Sequence, residues 1–145
     1  MTHFYGIDEA NGALPEVERI LAALRVQRVE LIDLRDRVVA ASPPDDEAPP
    51  PGVPERIRLL RLGMQGLIDQ MQAGVARLVE MDILLRDIST GLIDFPALVS
   101  GRPIWLCWRL GEPDIAHWHP HDEGFDSRRP LSELPMGRGS STPAA

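Results

Sequence analysis

The sequence predicts an α+β fold in which a long antiparallel α-helical hairpin packs with a small antiparallel β-meander. Apolar residues recur with helical spacing on both sides of a proline-rich segment, which indicates the hairpin. From residue 83 onward, short apolar runs alternate with glycines and prolines, which indicates the meander. At 145 residues the chain has the size of one domain, and we expect that domain over residues 1–136.

The first helix is expected over about residues 8–41. Its apolar seam is interrupted by a single glutamine and comprises Val17, Ile20, Leu24, Gln27, Leu31, Leu34 and Val38. Spacings that alternate between three and four residues are typical of a helix packed along a neighbouring helix. Because proline suits a first helical turn, Pro15 predicts that a separate short turn over residues 8–14 precedes the main helix.

A stiff connector is expected over residues 42–54, where six prolines remove backbone donors and prevent a helix. The second helix follows over about residues 55–82. Its seam repeats the same spacing at Ile57, Leu60, Met64, Leu67, Met71, Gly74, Leu78, Met81 and Leu85. Both helices also carry apolar residues beside the seam, so we expect a further partner, either the sheet, a second subunit or both.

The meander is expected over about residues 83–119 as four short strands, at 84–88, 92–95, 104–110 and 115–119. Glycine-containing turns join them at residues 89–91, 100–101 and 111–114. Pro96 predicts that the second of these strands lies at an edge of the sheet. Residues 120–136 are expected to form a loop, and residues 137–145 a disordered tail.

Composition narrows the classes of partner. Fifteen basic and 22 acidic residues give a net charge of −7, which argues against a nucleic-acid partner. No apolar run approaches the roughly 20 residues that span a bilayer, so no membrane partner is expected. A single cysteine and no recognisable signal peptide indicate a reducing, cytoplasmic location. The wide apolar helix faces predict a homo-oligomer, with a dimer favoured, and nothing identifies a small-molecule ligand.

Three segments resemble a bacterial domain-of-unknown-function family, number 2203. They read DISTGLIDFPAL, LCWRLGEPDIAHWH and GFDSRRPL, at residues 87–98, 106–119 and 124–131. The opening FYGIDEANGALPEV is similar to the start of that family, an aromatic residue followed by EAN and LP. The resemblance implies matching positions and no activity, because the family is defined without one.

The densest polar cluster is HWHPHDE, at residues 117–123. Three histidines at i, i+2 and i+4 project to one side of an extended chain, and imidazole with carboxylate is a ligand set suited to zinc or iron. For a divalent metal site holding zinc, iron or manganese, the candidate ligands are His119, Asp122, Glu112, Asp94 and His117. The alternative is structural, in which His119 donates a ring N–H to Asp94 or Glu112.

Further candidate site residues are Cys107, Trp108, Trp118 and Arg128. Cys107 is a candidate nucleophile with His119 as its base, because a thiolate needs a nearby imidazole or cation to form at neutral pH. In the alternative interpretation Cys107 is a buried packing residue that shares a sheet face with Trp118. Glu112 lies in a turn, where a carboxylate is usually solvated or caps a backbone N–H, and the alternative is that it forms an ion pair with Arg128.

Two functions fit these observations. The first is a helical-hairpin interaction and oligomerisation module that carries a polar His/carboxylate corner on its sheet. The second is a metal-dependent, hydrolase-like enzyme in which that corner holds the ion and a bound water is the nucleophile. The sequence is compatible with both, so whether the protein is an enzyme is left open at this point.

Overall fold

A computed structural model describes residues 1–134 of the chain. The helices and strands are α1 (Ile7–Ala41), α2 (Val53–Glu80), β1 (Leu84–Asp87), β2 (Leu92–Val99), β3 (Arg102–Arg109), β4 (His117–Pro120) and β5 (Arg129–Pro130). Two short 3-10 turns, Phe125–Ser127 and Leu131–Glu133, flank β5. The tail expected over residues 137–145 lies outside the described residues.

The two helices form the predicted antiparallel hairpin. Near its base, Arg77 Nε donates to Glu16 Oε2 at 2.7 Å, and further along Gln27 Nε2 donates to Gln70 Oε1 at 3.3 Å. These cross-helix contacts fix the register of α1 against α2. The predicted seam residues from Val17 to Val38 and from Ile57 to Leu78 lie buried or half-buried along this line, so this part of the seam is confirmed. Leu85 was assigned to the seam wrongly, because it lies in β1.

α1 runs without a break through Pro15, so the separate turn expected over residues 8–14 is wrong. An internal proline costs a helix one backbone hydrogen bond. The residues that flank it are buried in the core against the sheet, and they are Ala10, Leu14, Val17 and Leu21. Because most helical stability in proteins comes from packing an apolar face, this burial outweighs the missing bond.

α2 begins at Val53, two residues before its predicted start, and thereby shortens the connector. Pro54 lies in the first turn, where a missing N–H costs no hydrogen bond. Gly52 precedes the helix with φ of +88°, a left-handed conformation that glycine adopts without a steric penalty. The prolines before it still keep the rest of the connector out of the helix.

The five strands form one antiparallel sheet in the order β1-β2-β3-β4-β5, which is the predicted meander with one extra strand. Ser100 and Gly101 join β2 to β3, and their φ values of 52° and 79° are those of a type I′ turn. β5 was expected to be loop. Its pairing with β4 shows that part of the 120–136 segment returns to the sheet.

β2 is an interior strand, so the edge position predicted from Pro96 is wrong for the strand as a whole. The physical reason is local. β1 pairs with β2 only as far as Asp94, and beyond that point the Pro96 carbonyl accepts a hydrogen bond from the Tyr5 N–H at 2.7 Å. The nitrogen of Pro96 points to the same side as this carbonyl. β1 does not extend that far, so no strand there requires the N–H that proline lacks.

The alternation along the strands separates an apolar sheet face from a polar one. The apolar face joins the helices in the core and carries Ile93, Phe95, Ala97, Val99, Ile104, Leu106, Trp108 and Trp118. The opposite face carries Asp94, Cys107, His117 and His119. Trp118 pairs with Leu106, one position away from Cys107, so the prediction that Trp118 and Cys107 share a face is wrong.

Side chains of the first helix and the segment before it tie the hairpin to the sheet. The Tyr5 hydroxyl donates to the Met81 carbonyl at 2.6 Å, next to the end of α2. Asn11 Oδ1 accepts the backbone N–H of Ile115 at 2.7 Å and so anchors the loop that leads into β4. These bonds hold the β4 strand, with its histidines, in place beside β3.

Candidate functional site

A buried polar trio lies on the polar face of the sheet. It consists of Asp94 from β2, Cys107 from β3 and His119 from β4, each no more than 1% exposed. Asp94 pairs directly with Cys107, while His119 lies diagonally across from Cys107, opposite Trp105. One carboxylate oxygen, the sulfur and one imidazole nitrogen all lie within 4.8 Å of one another. Three adjacent strands therefore bring three different ligand atoms to one point.

Asp94 is held by one of its two carboxylate oxygens. Arg86 Nε donates to Oδ2 at 2.7 Å, and His119 Nε2 lies 3.0 Å from the same oxygen. The other oxygen, Oδ1, is buried and has no hydrogen-bond partner among residues 1–134. Leaving a buried acceptor unsatisfied costs about 1–3 kcal/mol, so this oxygen is the least satisfied part of the trio.

The hydrogen bond made by Nδ1 of His119 limits which nitrogen of the ring can carry a lone pair. Nδ1 donates to the Pro120 carbonyl at 3.0 Å, because a carbonyl oxygen can only accept. A neutral imidazole then carries its lone pair on Nε2, the nitrogen that faces Asp94 Oδ2. Nε2 donates to Asp94 Oδ2, 3.0 Å away, only when it also carries a proton.

The Cys107 thiol is unreactive as it stands. Burial raises its pKa to about 12, and the neighbouring Asp94 carboxylate adds to that rise. The thiol is therefore neutral at pH 7, whereas nucleophilic attack requires a thiolate. This protonation state argues against the hypothesis of a Cys107 nucleophile with His119 as base.

Three side chains form a cover over the trio, and we call Arg86, Trp105 and His121 the cover residues. The Arg86 guanidinium lies 5.3 Å from the centre of the Trp105 ring, and the His121 ring stacks on Trp105 with 4.9 Å between centroids. Trp105 Nε1 also donates to the His121 carbonyl at 3.2 Å. The cover residues meet solvent while the trio does not, so the trio is closed.

A second polar cluster surrounds Glu112. Arg128 Nη2 donates to both carboxylate oxygens at 3.0 Å, so the predicted ion pair is confirmed, and the Arg109 N–H donates to Oε1 at 2.8 Å. Burial by itself raises the pKa of Glu112, but the hydrogen bonds from Arg128 and Arg109 outweigh it and leave the pKa below its usual value. The Arg128 guanidinium also lies 4.6 Å from the Phe125 ring centre.

The structure distributes the five candidate metal ligands over three places. His119 and Asp94 meet in the trio, which confirms the hydrogen-bonded contact that the structural alternative predicted. Glu112 belongs to the second cluster, and His117 is near enough that a positive charge on it would lower the pKa of Glu112. Asp122 is exposed and lines a cavity of about 530 Å³ beyond the end of β4. Metal binding itself stays a prediction.

Sequence reasoning missed two members of this site. It did not connect Arg86 with Asp94, and it treated Cys107 as a nucleophile or a packing residue and never as a metal ligand. The sequence did contain a signal that Cys107 lies next to Asp94. In a hairpin turning at Ser100 and Gly101, paired residue numbers add up to 201, which places Asp94 opposite Cys107. Trp108 and Trp118, two other candidates, lie on the apolar face.

The distal half of the hairpin, defined as residues 25–66, offers a different surface. None of these residues is buried. Its exposed large apolar side chains are Val26, Val29, Val39, Leu59 and Leu62. A groove of about 440 Å³, here called the hairpin groove, starts at its inner end and is lined by Leu31, Ile68, Met71, Gln72, Val75 and Ala76. Within residues 1–134, neither helix has a stretch apolar and long enough to cross a bilayer.

Comparison with known proteins shows the family of the chain. Searches of curated proteins and of solved structures find no match. A family model described as "Uncharacterized conserved protein (DUF2203)" matches residues 3–131. The match runs from before α1 to the start of the last 3-10 turn and includes both the trio and the Glu112 cluster. The chain therefore belongs to the DUF2203 family, as the three sequence segments indicated.

Proposed function

We propose that this chain is a self-associating helical-hairpin module, in which the distal half of the hairpin docks onto the distal half of a second copy. The observation that carries the proposal is that α1 and α2 extend over residues 25–41 and 53–66 without a single fully buried residue. Helices generally depend on tertiary packing for their stability. Two helices that extend beyond their own core are therefore best explained by a core completed by another subunit.

The apolar pattern of α2 supports this docking. Where the distal half adjoins the rest of the hairpin, helical spacing places three half-buried residues on one stripe, at Ile68, Met71 and Val75. All three line the hairpin groove, which therefore extends the docking surface beyond residue 66. Burying an apolar side chain completely is worth about 1.5–3 kcal/mol, so a stripe that is half-exposed in one chain gains stability when a neighbouring helix covers it. Two hairpins packed in this way form a four-helix arrangement.

The charge distribution favours a second copy as the occupant. Residues 25–66 carry seven arginines and seven acidic residues, so the distal half is neutral. The remainder carries eight arginines and fifteen acidic residues, and with them the whole net charge of −7. An antiparallel overlap of two distal halves brings the neutral regions together and keeps the two acidic sheet ends far apart.

Sedimentation equilibrium tests the proposal directly. We expect the protein to have a mass near twice the 16.1 kDa of one chain. An Ile68→Arg variant places a charge in the hairpin groove and is expected to be monomeric with unchanged helical circular dichroism. Ala73→Arg is the matched control, because five residues correspond to about 140° around the helix from Ile68. A monomeric wild type at all concentrations, or an Ile68→Arg dimer, would contradict the proposed interface.

The alternative of a metal-dependent hydrolase has less support from the geometry. A catalytic metal keeps a coordination position open to water and substrate. The trio is buried beneath the cover residues, so it suits a closed site. A cytoplasmic location forms part of the proposal, and it is supported by Cys107, the sole cysteine, which is free and buried.

A further inference from the structure

The trio brings three atoms that can bind a metal to one buried place. Asp94 Oδ1 is buried and has no hydrogen-bond partner among residues 1–134, and Asp94 as a whole is only 1% exposed. His119 Nε2 lies 3.0 Å from Asp94 Oδ2. The Cys107 sulfur lies beside both, and all three residues offer a ligand atom within 4.8 Å of the others. Oxygen, nitrogen and sulfur together are the donors that zinc accepts in proteins.

We propose that this trio binds one zinc ion, with Asp94, Cys107 and His119 as its protein ligands. The inference is independent of self-association through the hairpin. It differs from the metal site expected from the sequence, because Cys107 replaces Glu112, Asp122 and His117. A sulfur ligand favours zinc over magnesium, calcium or manganese, which prefer oxygen ligands.

The distances are compatible with zinc after a small contraction. Zinc lies about 2.0–2.3 Å from nitrogen, oxygen and sulfur ligands, so atoms around a tetrahedral ion are about 3.3–3.8 Å apart. The ligand atoms of the trio are at most 4.8 Å apart, so they need to approach by roughly 1 Å. Asp94 has two oxygens, so its carboxylate can bind the ion through one of them or through both.

The surroundings already orient the ligands as metal sites require. A histidine that binds a metal through one nitrogen usually donates its other N–H to a carbonyl or carboxylate. His119 does so through Nδ1 to the Pro120 carbonyl at 3.0 Å. Arg86 Nε holds Asp94 Oδ2 at 2.7 Å and so fixes the plane of the carboxylate, with Oδ1 unpartnered.

The charges also balance in the buried space. On binding, the Cys107 thiol loses its proton, and any proton shared by Asp94 and His119 leaves as well, so both are released to solvent. One thiolate, one carboxylate and a neutral imidazole then surround an ion of charge +2, so the ion and its ligands are neutral together. The charge of Arg86 beside Asp94 lies on a side chain that is 38% exposed. Burial penalises a neutral centre far less than an isolated charge. Because the cover residues close the site, the ion stabilises the sheet and activates no water.

Metal titration of the untagged, chelator-stripped full chain tests the proposal. We expect one zinc equivalent per chain by elemental analysis and a higher melting temperature with zinc. Cobalt used as a probe is expected to give a thiolate-to-metal charge-transfer band. Because Cys107 is the sole cysteine of the chain, that band can come from no other residue.

Two variants separate ligation from general stability. Cys107→Ser removes the sulfur with little change in volume, and we expect zinc affinity to fall by about 100-fold or more and the cobalt band to disappear. His117→Gln is the matched control, because His117 lies opposite Cys107 on the same sheet face but outside the trio. It is expected to keep the affinity and the band.

The outcomes are decisive in either direction. Less than stoichiometric zinc in the wild type, or a Cys107→Ser variant that keeps wild-type affinity, overturns the proposal. Should Cys107→Ser fail to fold, the cobalt band of the wild type decides, since its presence supports ligation by Cys107 and its absence refutes it. The oligomeric state of the protein does not enter this measurement, so the zinc and hairpin proposals can fail separately.

Discussion

The half of the hairpin that lies on the sheet and the distal half share one apolar spacing but differ completely in burial. In the sheet-supported half, the buried residues are Ala10, Leu14, Val17, Leu21, Leu24, Leu67 and Leu78. In the distal half, residues 25–66, none is buried. The seam therefore determines which sides of the two helices meet, while a third layer determines whether those sides are removed from water. In one half the sheet is that layer, and in the other we propose a second copy.

The largest difference between the two halves should appear on inserting a charge. Leu21 is 0% exposed, so Leu21→Asp buries an unpaired carboxylate and is expected to cost about 5 kcal/mol or more, enough to unfold the chain. Val29 in the distal half is 64% exposed, and Val29→Asp should change stability by about 0.5 kcal/mol or less. Urea unfolding followed by circular dichroism measures both. Similar losses for the two variants would contradict the contrast in burial.

A smaller loss is expected from Gly91→Ala in the turn between β1 and β2. Gly91 has φ of +70°, and a Cβ there would lie 2.5 Å from Leu110 Cβ. Strained backbone and this close approach should together lower stability by about 1–3 kcal/mol, read as a lower melting temperature. An unchanged melting temperature would show that the turn relaxes and that the sheet end is less rigid than its packing indicates.

A smaller, pH-dependent loss is expected from breaking the ion pair between Glu112 and Arg128. Because the pKa of Glu112 is lowered in the folded chain, its contribution is present above its usual value of 4.5 and is lost as the pH falls through the lowered value. Glu112→Gln should cost about 1–2 kcal/mol at pH 7 and progressively less in acid. The control is Glu55→Gln, which breaks the exposed pair with Arg58 in the distal half and should change stability little at any pH.

A loss for Glu112→Gln that persists undiminished as the pH falls through the lowered pKa would show that its effect comes from packing and that the ion pair contributes nothing. Chemical unfolding at a series of pH values provides the comparison, with Glu55→Gln measured alongside.

The smallest expected effect is a gain in stability, from Gly66→Ala. Gly66 lies inside α2 in the distal half, and nothing is within 4 Å of a Cβ built there. Gly66→Ala should therefore raise the free energy of unfolding by about 0.5–1 kcal/mol through helix propensity alone. A loss of stability, or a change in oligomeric state, would place a partner chain against this side of α2, away from the hairpin groove.

The part of the site that could be predicted from the sequence is the part that turn geometry and strand register determine. The turn at Ser100 and Gly101 was predicted correctly, and it alone sets Asp94 opposite Cys107. The contact of His119 with Asp94 was one of two alternatives. Arg86 could not have been chosen in advance, because it lies at an irregularity of β1 where simple alternation no longer assigns a face.

By itself the sequence determined the helical hairpin, the antiparallel meander, the connector and the family, because helical spacing, proline and turn chemistry act over a few residues. Only the tertiary structure decided that α1 passes through Pro15, that Pro96 lies in an interior strand and that β5 closes the sheet. It also decided that Asp94, Cys107 and His119 meet in a closed site while no residue of 25–66 is fully buried. Burial and contact between distant residues depend on which surfaces the whole chain brings together, and no local pattern contains that information.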